Sequence, residues 1–466
     1  CGYSADLSQG VVDRTMLHSD NAYFLPAARI ASKRLKTNTV SNTAFRGFGG
    51  PQGMLVVEQA LDRIAWTLGR DPLDMRYANL YSPGRDLTPF GMVVEETDTL
   101  HDVLRTLERT SDYRARRGEI AAFNAGSRFL KRGIALTPVK FGISFTLTHL
   151  NQAGALVHVY QDGSVHLNHG GTEMGQGIHV KVAQVVAEEF GIALERVRIT
   201  ATSTGKVPNT SATAASAGSD LNGMAARNAA QAIKGRMAAF AAESHGVAES
   251  EVVFRDDRVF IGNESLGFGE FARACIEGRV QLSEAGFYKT PKINWDRAKG
   301  RGRPFFYFAY GAACSEVVID TLTGENRITR IDILHDCGKS LNPAIDIGQI
   351  EGGFVQGMGW LTTEELVFDE EGRLLTHAPS TYKIPVASDV PADFRVALYP
   401  NSNREETIYR SKAVGEPPLM LAISIFCAIA DAIHSLAPDR PAPLDAPATP
   451  EAILRACEAV RGRPLP

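Results

Sequence analysis

Residues 412–420 of the chain read KAVGEPPLM, and almost every residue from Leu419 to Ile433 is apolar or small. Proline is tolerated in the first turn of a helix, because its missing N–H would have no intrahelical partner there. The pattern therefore predicts a helix that begins at the two prolines. Apolar residues fall on every face of this helix, which is typical of a helix buried in a protein core.

Glu416 lies directly before the predicted helix. A carboxylate at this place has two possible roles. It can cap the helix, where the positive end of the helix dipole favours a negative charge. It can also be a general base in a pocket that excludes water. These few residues leave both roles open.

The composition describes a globular protein. Of the 466 residues, 44% are hydrophobic and 22% are charged, which is enough chain for two or three cores. A net charge of −4 favours neither a nucleic acid nor a membrane surface as partner. We find no run of 18 apolar residues, and so expect no transmembrane helix. The six cysteines form no C-x-x-C pair, which argues against a zinc ribbon or an iron–sulfur cluster on this chain. Their low number fits a reducing compartment, and we expect a cytoplasmic location.

The chain begins at Cys1 without a methionine, and we expect a piece of a longer protein. We place a boundary near residue 130, which gives a first part of residues 1–130 and a second part of residues 131–466. The first part is expected to be irregular up to residue 50, with a short strand over 30–35. Helices are predicted over 51–68 and 72–80, with Asp71 as N-cap of the second, and helical character over 82–133.

The second part alternates hairpins and helices. Hairpins are predicted over 153–168, 252–261 and 315–334. Helices are predicted over 178–190, 212–244 and 345–360, and further strands over 133–150, 197–199, 366–368, 374–375 and 394–398. A proline-rich tail is expected from residue 437. This order predicts an α+β fold with mixed, hairpin-rich sheets and packed helices, not a doubly wound βαβ sheet.

Glycine-rich loops precede several of these helices, over residues 44–52, 170–177, 213–219 and 344–349. Backbone N–H groups at helix starts bind phosphate and other anions without a lysine. The side-chain amides of Gln176 and Gln349 can contact a polar ring edge. The loops suit a large phosphorylated cofactor held by the backbone, or else tight packing between helices. The fingerprints G-x-G-x-x-G and G-x-x-x-x-G-K-[ST] are missing, which argues against the usual NAD and ATP folds.

Three motifs carry a resemblance to a known family. FRGFGGPQ (45–52), GGTEMGQG (170–177) and VGEPPL (414–419) resemble the xanthine dehydrogenase/aldehyde oxidase family of molybdenum hydroxylases, as do KFGISFT (140–146), SATAAS (211–216) and residues 341–351. The motifs occur in family order and span nearly the whole chain. The resemblance implies the C-terminal part of the molybdopterin-binding portion, with two molybdopterin-binding subdomains.

The resemblance also implies roles for individual residues. Glu416 would take a proton from a molybdenum-bound hydroxyl, and Arg14 would stabilise negative charge that develops on a heterocyclic substrate. Phe48 and Phe145 would hold the flat substrate between them, and Thr146 would contact it. The implied cofactor-binding residues are Arg46, Met174, Gly175, Gln176, Ala214, Ala215, Ser216 and Gln349. No residue of this chain is expected to ligate a metal.

Each role has a plainer alternative. Arg14 could form a surface salt bridge, Phe48 and Phe145 could be core residues, and Arg46 could pair with a loop carbonyl. A scaffold would have no use for all of these groups together with Glu416, so the combination favours an enzyme over a non-catalytic binding or assembly module.

The implied reaction is the oxidative hydroxylation of purines, from hypoxanthine and xanthine to urate, with water as the source of oxygen. Arg14 favours purines, because the aldehyde-oxidising branch usually lacks it; an aldehyde or other N-heterocycle oxidase is the alternative. In the family a glutamine near molybdenum, a further glycine-rich loop and a second substrate glutamate precede the position of Cys1. We expect 2Fe-2S clusters and FAD on missing modules or partner chains, a homodimer of the complete enzyme, an inactive fragment alone, and neither nucleic acid nor membrane as partner.

Overall fold

A computed structural model describes residues 1–207 and 209–463. In these ranges the α-helices are α1 (Ser8–Leu17), α2 (Gly50–Thr67), α3 (Pro72–Asn79), α4 (Thr97–Thr110), α5 (Tyr113–Gly126), α6 (Ile178–Phe190), α7 (Gly218–His245), α8 (Phe268–Glu277), α9 (Pro343–Thr362), α10 (Pro417–Leu421), α11 (Ile423–His434) and α12 (Pro450–Val460). The strands are β1 (Leu130–Ile143), β2 (Gln152–Val159), β3 (Val165–His169), β4 (Val197–Ile199), β5 (Val252–Arg255), β6 (Arg258–Ile261), β7 (Glu264–Gly267), β8 (Ser283–Lys289), β9 (Asn294–Asp296), β10 (Arg301–Arg303), β11 (Tyr307–Asp320), β12 (Asn326–His335) and β13 (Asp393–Leu398).

One sheet has the strand order β1-β11-β12-β13 and separates the two hydrophobic cores. β1 and β11 run antiparallel, paired from Leu130 opposite Asp320 to Ile143 opposite Tyr307. Successive side chains of a strand point to opposite faces. Tyr307 and Ala309 accordingly join one core, whereas Phe308 and Tyr310 join the other.

A second sheet, in the order β4-β3-β2-β8, is covered by α7. Glycines let helices approach both sheets closely. A Cβ at Gly133 on β1 would come within 2.6 Å of the backbone nitrogen of Ala432 on α11. A Cβ at Gly286 on β8 would come within 2.8 Å of the backbone nitrogen of Ala229 on α7. These small residues therefore set the distance between helix and sheet in each part of the fold.

The helix after Glu416 consists of two segments, α10 and α11, which meet at Ala422. Residues Pro417–His434 are long and apolar enough to cross a membrane by length and composition, although we expected no such segment. The structure places 89% of this window inside the protein. A buried core helix passes the same test of composition, and the position of α11 against β1 and β11 identifies it as such a helix.

The predicted α+β fold and most of its elements are confirmed. Asp71 caps α3 by accepting a hydrogen bond from Leu73 N, and the hairpins of β2–β3, β5–β6 and β11–β12 are present. Other predictions are wrong. Residues 8–17 form a helix, and residues 30–35 are exposed and form no strand apart from one bridge between Leu35 and Gly2. The strand expected over 133–150 ends at Ile143, helix α7 begins six residues later than predicted, and residues 366–375 contribute only an isolated bridge. The proline-rich tail contains α12, whose first turn holds Pro450 behind the N-cap Thr449.

A pair of glycines on α9 tests the packing of this helix against α10. A Cβ at Gly357 would clash with the carbonyl oxygen of Leu419 and lie 2.8 Å from the Cβ of Ala422, whereas a Cβ at Gly352 meets nothing within 4 Å. We expect Gly357→Ala to lower the free energy of unfolding by about 1–3 kcal/mol. Gly352→Ala on the same helix should raise it by up to about 1 kcal/mol, because alanine favours the helix. Denaturant or thermal unfolding measures both, and equal effects of the two substitutions would contradict the packing.

Candidate active site

A cavity of about 570 Å³ lies where the glycine-rich loops meet the residues before α10. Its walls come from residues 44–48, the beginning of α6, residues 213–220, the beginning of α9, and residues 411–416. Segments far apart in the chain therefore form one site.

Helix N-termini converge on this cavity. Ile178 of α6, Gly218 of α7 and Asp346 of α9 line it, and each lies in the first turn of its helix. The N-terminal end of a helix carries about half a positive charge and presents unpaired N–H groups. The cavity therefore suits a ligand with anionic groups.

Glu416 lies at this cavity and does not cap α10 through its side chain. The hydroxyl of Ser216 holds it twice: Ser216 Oγ accepts from the backbone N–H of Glu416 at 2.7 Å and donates to Glu416 Oε2 at 3.0 Å. Ala215 and Ser216 both have left-handed backbone angles, with φ of 57° and 56°. Such angles are unfavourable for residues other than glycine and often occur at functional sites. The loop is therefore shaped to place the Ser216 hydroxyl against Glu416.

Arg46 joins three segments of the wall. Its Nε donates to Gly415 O at 2.6 Å, one terminal nitrogen donates to Gln356 Oε1 at 3.2 Å, and the other donates to Gln349 O at 3.2 Å. Burial lowers the pKa of Arg46, while the negative charge of Glu416 acts in the opposite direction. The guanidinium thus connects the loop of residues 44–48 to α9 and to Gly415, the residue before Glu416. The bond to Gly415 O is also what we expect if Arg46 only pairs with a loop carbonyl.

The loop of residues 170–177 satisfies most of its polar groups internally. Gln176 Oε1 accepts from Met174 N at 2.5 Å, and its amide nitrogen donates to Thr172 O at 2.7 Å. The carboxylate of Glu173 accepts from the backbone nitrogens of Gly175, Gly177 and His179. Met174 and Gln176 line the cavity, whereas Gly175 does not. Ala214, Ala215, Ser216 and Gln349, the other predicted cofactor residues, line it as well.

Of the four predicted substrate residues, one lines the cavity and three lie buried behind its lining residues. Phe48 lines it, and its ring meets the ring of Phe145 edge to face, with centroids 6.4 Å apart and an angle of 84°. Arg14, Phe145 and Thr146 are buried and are not lining residues. The guanidinium of Arg14 donates to the carbonyls of Ser144 and Gly142, at 2.7 Å each, and lies 4.5 Å from the ring centroid of Phe141. It is therefore not a surface salt bridge.

Several charged residues of the site were missed from the sequence. Lys412 Nζ is fully buried and contacts Asp336 at 2.7 Å and Glu96 at 2.8 Å. Lys181 pairs with Asp346 at the cavity wall. In the sequence, each of these lysines is a single charge within a run of apolar or small residues. Such a charge is buried only when it is paired, and this pattern could have indicated a buried ion pair. Their partners lie more than 70 residues away in the chain, and no local pattern reveals them.

Asp220 was missed as well. It lines the cavity in the first turn of α7 and accepts a hydrogen bond from Tyr307. Burial raises its pKa to about 7, against the opposing effects of that hydrogen bond and of Lys181. A carboxyl that titrates near neutral pH within a cavity is a frequent feature of functional sites.

The chain is similar to known proteins in sequence and in fold. A family model described as "Molybdopterin cofactor-binding domain" matches residues 106–391, and a second model with the same description matches residues 1–80. The xanthine dehydrogenase/oxidase of Gallus gallus is 48% identical over 460 residues, which are 98% of this chain and 32% of that protein. The xanthine dehydrogenase of Oryza sativa is 46% identical over 467 residues, which are 98% of this chain and 33% of that protein.

This chain belongs to the xanthine dehydrogenase/aldehyde oxidase family of molybdenum hydroxylases. It forms a molybdopterin-binding portion and spans about a third of the length of the curated relatives it matches. The fold is shared with quinoline 2-oxidoreductase from Pseudomonas putida, at a TM-score of 0.84 and 24% identity over 98% of this chain and 57% of that one. It is also shared with the aldehyde oxidoreductase from Desulfovibrio desulfuricans, at a TM-score of 0.78 and 24% identity over 98% of this chain and 46% of that one.

The residues of the cavity fit a molybdopterin. The cavity is large enough for a ring system of that size, and its polar groups include the amide and hydroxyl groups and helix N-termini that bind phosphate and ring edges. Arg46 and Gln349 would hold the cofactor on the α9 side, and residues 214–216 would hold it on the α7 side.

Removing the guanidinium of Arg46 tests its connections to α9 and Gly415. We expect Arg46→Met to lower the free energy of unfolding by about 1–3 kcal/mol, since several hydrogen bonds from a charged donor are lost. Hydrogen–deuterium exchange should rise in residues 44–48 and 415–419 together. The control is Arg105→Met on the exposed side of α4, which should change stability by less than about 0.5 kcal/mol. Unchanged exchange in residues 415–419 would show that Arg46 does not hold that segment.

Proposed function

We propose that the complete protein containing this chain hydroxylates purines at a carbon next to a ring nitrogen, with water as the source of oxygen. The observation that carries the proposal is the carboxylate of Glu416, which lies at the cavity wall and is held there by Ser216. The similarity to xanthine dehydrogenases over 98% of the chain supports purines as the substrate class. The reaction sequence would convert hypoxanthine and xanthine to urate.

Glu416 is the general base of this proposal. Its Oε2 accepts from Ser216, which leaves Oε1 as the atom that takes the proton. A carboxylate with one oxygen fixed keeps the other in a constant direction, and this orientation favours proton transfer. When bound, the molybdenum cofactor supplies the redox chemistry of the hydroxylation.

Arg14 acts through its charge. Its side chain is 1% exposed and is held by two backbone carbonyls. Burial lowers the pKa of Arg14, and the charge of Glu416 raises it, so that the two groups influence each other across the site. A fixed positive charge surrounded by protein stabilises negative charge that develops on a heterocycle more strongly than it would in water.

Phe48 and Phe145 place the substrate. Because their rings are perpendicular, a flat heterocycle near them would stack on one ring and meet the edge of the other, which are both favourable aromatic geometries. Thr146 follows Phe145 directly and would contact the same substrate. The aldehyde or N-heterocycle oxidase alternative uses the same cavity with a different substrate.

The rest of the enzyme would complete the electron path. We place the subdomain boundary near residue 130, with residues 1–130 and 131–466 each contributing to the cofactor site. Iron–sulfur clusters and FAD on other modules or partner chains would pass electrons onward. The complete enzyme would be a cytoplasmic homodimer, and this fragment would be inactive alone.

A Glu416→Gln variant of the complete protein tests the general base. Glutamine keeps the shape of the side chain and cannot take the proton, so we expect kcat to fall by about 10²–10⁴-fold. Molybdenum and pterin content should remain at the wild-type level of about one per chain. The exposed Glu365→Gln serves as the control and should retain full activity. Normal turnover by a metal-loaded Glu416→Gln protein would refute the assignment.

Substrate preference tests the purine assignment. We expect kcat/KM of the complete wild-type protein to be larger for hypoxanthine than for benzaldehyde, because the buried charge of Arg14 favours a transition state that spreads negative charge over a heterocycle. Steady-state kinetics with both substrates measures this. A preference for benzaldehyde would favour the aldehyde oxidase alternative. A metal-loaded protein inactive on both would contradict the purine assignment and leave another N-heterocycle oxidase or a non-catalytic module.

A further inference from the structure

A buried relay connects the cavity wall to the backbone that carries Glu416. The hydroxyl of Tyr307 accepts from the backbone N–H of Ala413 at 2.8 Å and donates to Asp220 Oδ2 at 2.8 Å. Tyr307 is 4% exposed, Asp220 is 7% exposed and Ala413 is 8% exposed. We infer that Asp220 and Tyr307 are positioning residues, which fix the segment of residues 412–416 so that Glu416 keeps its orientation. This inference rests on the proposed role of Glu416 as the base.

The direction of each hydrogen bond in the relay is set by chemistry. An ionised carboxylate only accepts, so the single hydrogen of the Tyr307 hydroxyl points to Asp220. The lone pairs of that hydroxyl are then available for the N–H of Ala413. Without the carboxylate, the tyrosine hydrogen has no defined acceptor, and the orientation of the lone pairs is lost as well.

The relay is one of several anchors on a short segment. Lys412 is held by its ion pairs with Asp336 and Glu96, and the carbonyl of Gly415 accepts from Arg46. The backbone N–H of Glu416 donates to Ser216. Tyr307 binds the backbone N–H of Ala413, which lies in the chain between the ion pairs of Lys412 and the hydrogen bonds at Gly415 and Glu416. Because reacting groups must be aligned closely, an error of about 1 Å in such a segment reduces turnover by about 100-fold.

Burial of Asp220 between α7, α6 and the strands β8 and β11 makes the relay sensitive to pH, because burial raises the pKa of its carboxyl to about 7. Lys181 of α6, Tyr307 of β11 and Tyr288 of β8 face the carboxyl, and Lys181 is itself paired with Asp346. Asp220 is ionised above about pH 7 and protonated below it. In the protonated form the carboxyl donates as well as accepts, so the direction of its hydrogen bond with Tyr307 is no longer fixed. The relay is therefore complete above pH 7 and weakens as the pH falls.

The test compares Tyr307→Phe, Asp220→Ala and Asp220→Asn in the complete, molybdenum-loaded protein. The matched control is Tyr23→Phe, because Tyr23 is also fully buried and donates to a buried carboxylate, Glu58 Oε1 at 2.6 Å, within the other core. We expect Tyr307→Phe and Asp220→Ala to lower kcat by about 10- to 100-fold while KM changes less than about threefold. The double variant should lose no more than either single variant, because both act through one relay.

Asp220→Asn separates positioning from a general loss of structure. The amide oxygen still accepts from Tyr307, so most of the turnover should return above pH 7. We expect wild-type turnover to decrease on the acid side of pH 7, and this decrease should be smaller in Asp220→Asn, because the amide does not titrate. A second readout needs no substrate: hydrogen–deuterium exchange of the Ala413 amide should accelerate at least tenfold in Tyr307→Phe and remain unchanged in Tyr23→Phe.

The outcomes distinguish the inference from the proposed function. If Tyr307→Phe matches Tyr23→Phe in kcat and in exchange at Ala413, the positioning role is wrong. The role is equally wrong if Asp220→Asn loses as much turnover as Asp220→Ala at pH 8. If the loaded wild-type protein hydroxylates no substrate, the proposed function fails. Accelerated exchange at Ala413 in Tyr307→Phe would then still show that the relay fixes residues 412–416.

Discussion

The buried ammonium group of Lys412 is the constraint on which the site depends. Removing a charge from water is costly unless partners of opposite charge surround it. Glu96, at the beginning of α4, and Asp336, just beyond β12, supply those partners, and Asp336 is in turn bound by Asn401 and Gly338 N. The ion pairs of Lys412 thus connect the residue before α4 with the residue after β12, two positions that are far apart in the chain. The position of the segment that ends at Glu416 is therefore a consequence of the tertiary fold.

The two sheets and their helices explain why the cavity lies where it does. α7 packs closely on one sheet at Gly286, and α11 packs closely on the other at Gly133. The N-terminal end of α7 and the residues before α10 are thereby brought together, and Ser216 meets Glu416 across 200 positions of the chain. Glycines at 353 and 357 let α9 approach α10 and complete the wall that carries Gln349.

Local patterns predicted much of this fold. The N-cap at Asp71, the prolines in the first turn of α10 and the aspartate–glycine turn between β2 and β3 are signals carried by neighbouring residues, and each was interpreted correctly. Helix α1 was missed because it has no side-chain cap and buries polar residues such as Asp13 and Arg14. Helix α12 was missed because the prolines around it outweighed the capping signal of Thr449 and Pro450.

In the candidate site, too, some residues were predicted from local motifs and others were missed. The motifs predicted Arg46, Ser216, Gln349 and Glu416, which line the cavity, whereas the residues that support them were invisible in a single sequence. Lys412, Lys181 and Asp220 have partners on other elements, and their burial follows only from the folded structure.

The pairing of these charges decides how the cavity can hold a ligand. The cations among the described lining residues are already engaged: Lys181 with Asp346, Lys412 with two carboxylates, and Arg46 with backbone and amide oxygens. An anionic cofactor would therefore be met chiefly by the N–H groups at helix starts, which provide positive potential without a mobile charge. Such a site leaves the carboxylate of Glu416 without a competing salt bridge. The neutral hydroxyl of Ser216 fixes one oxygen of this carboxylate without placing a charged side chain on it, and the other oxygen is left to accept the proton in the proposed reaction.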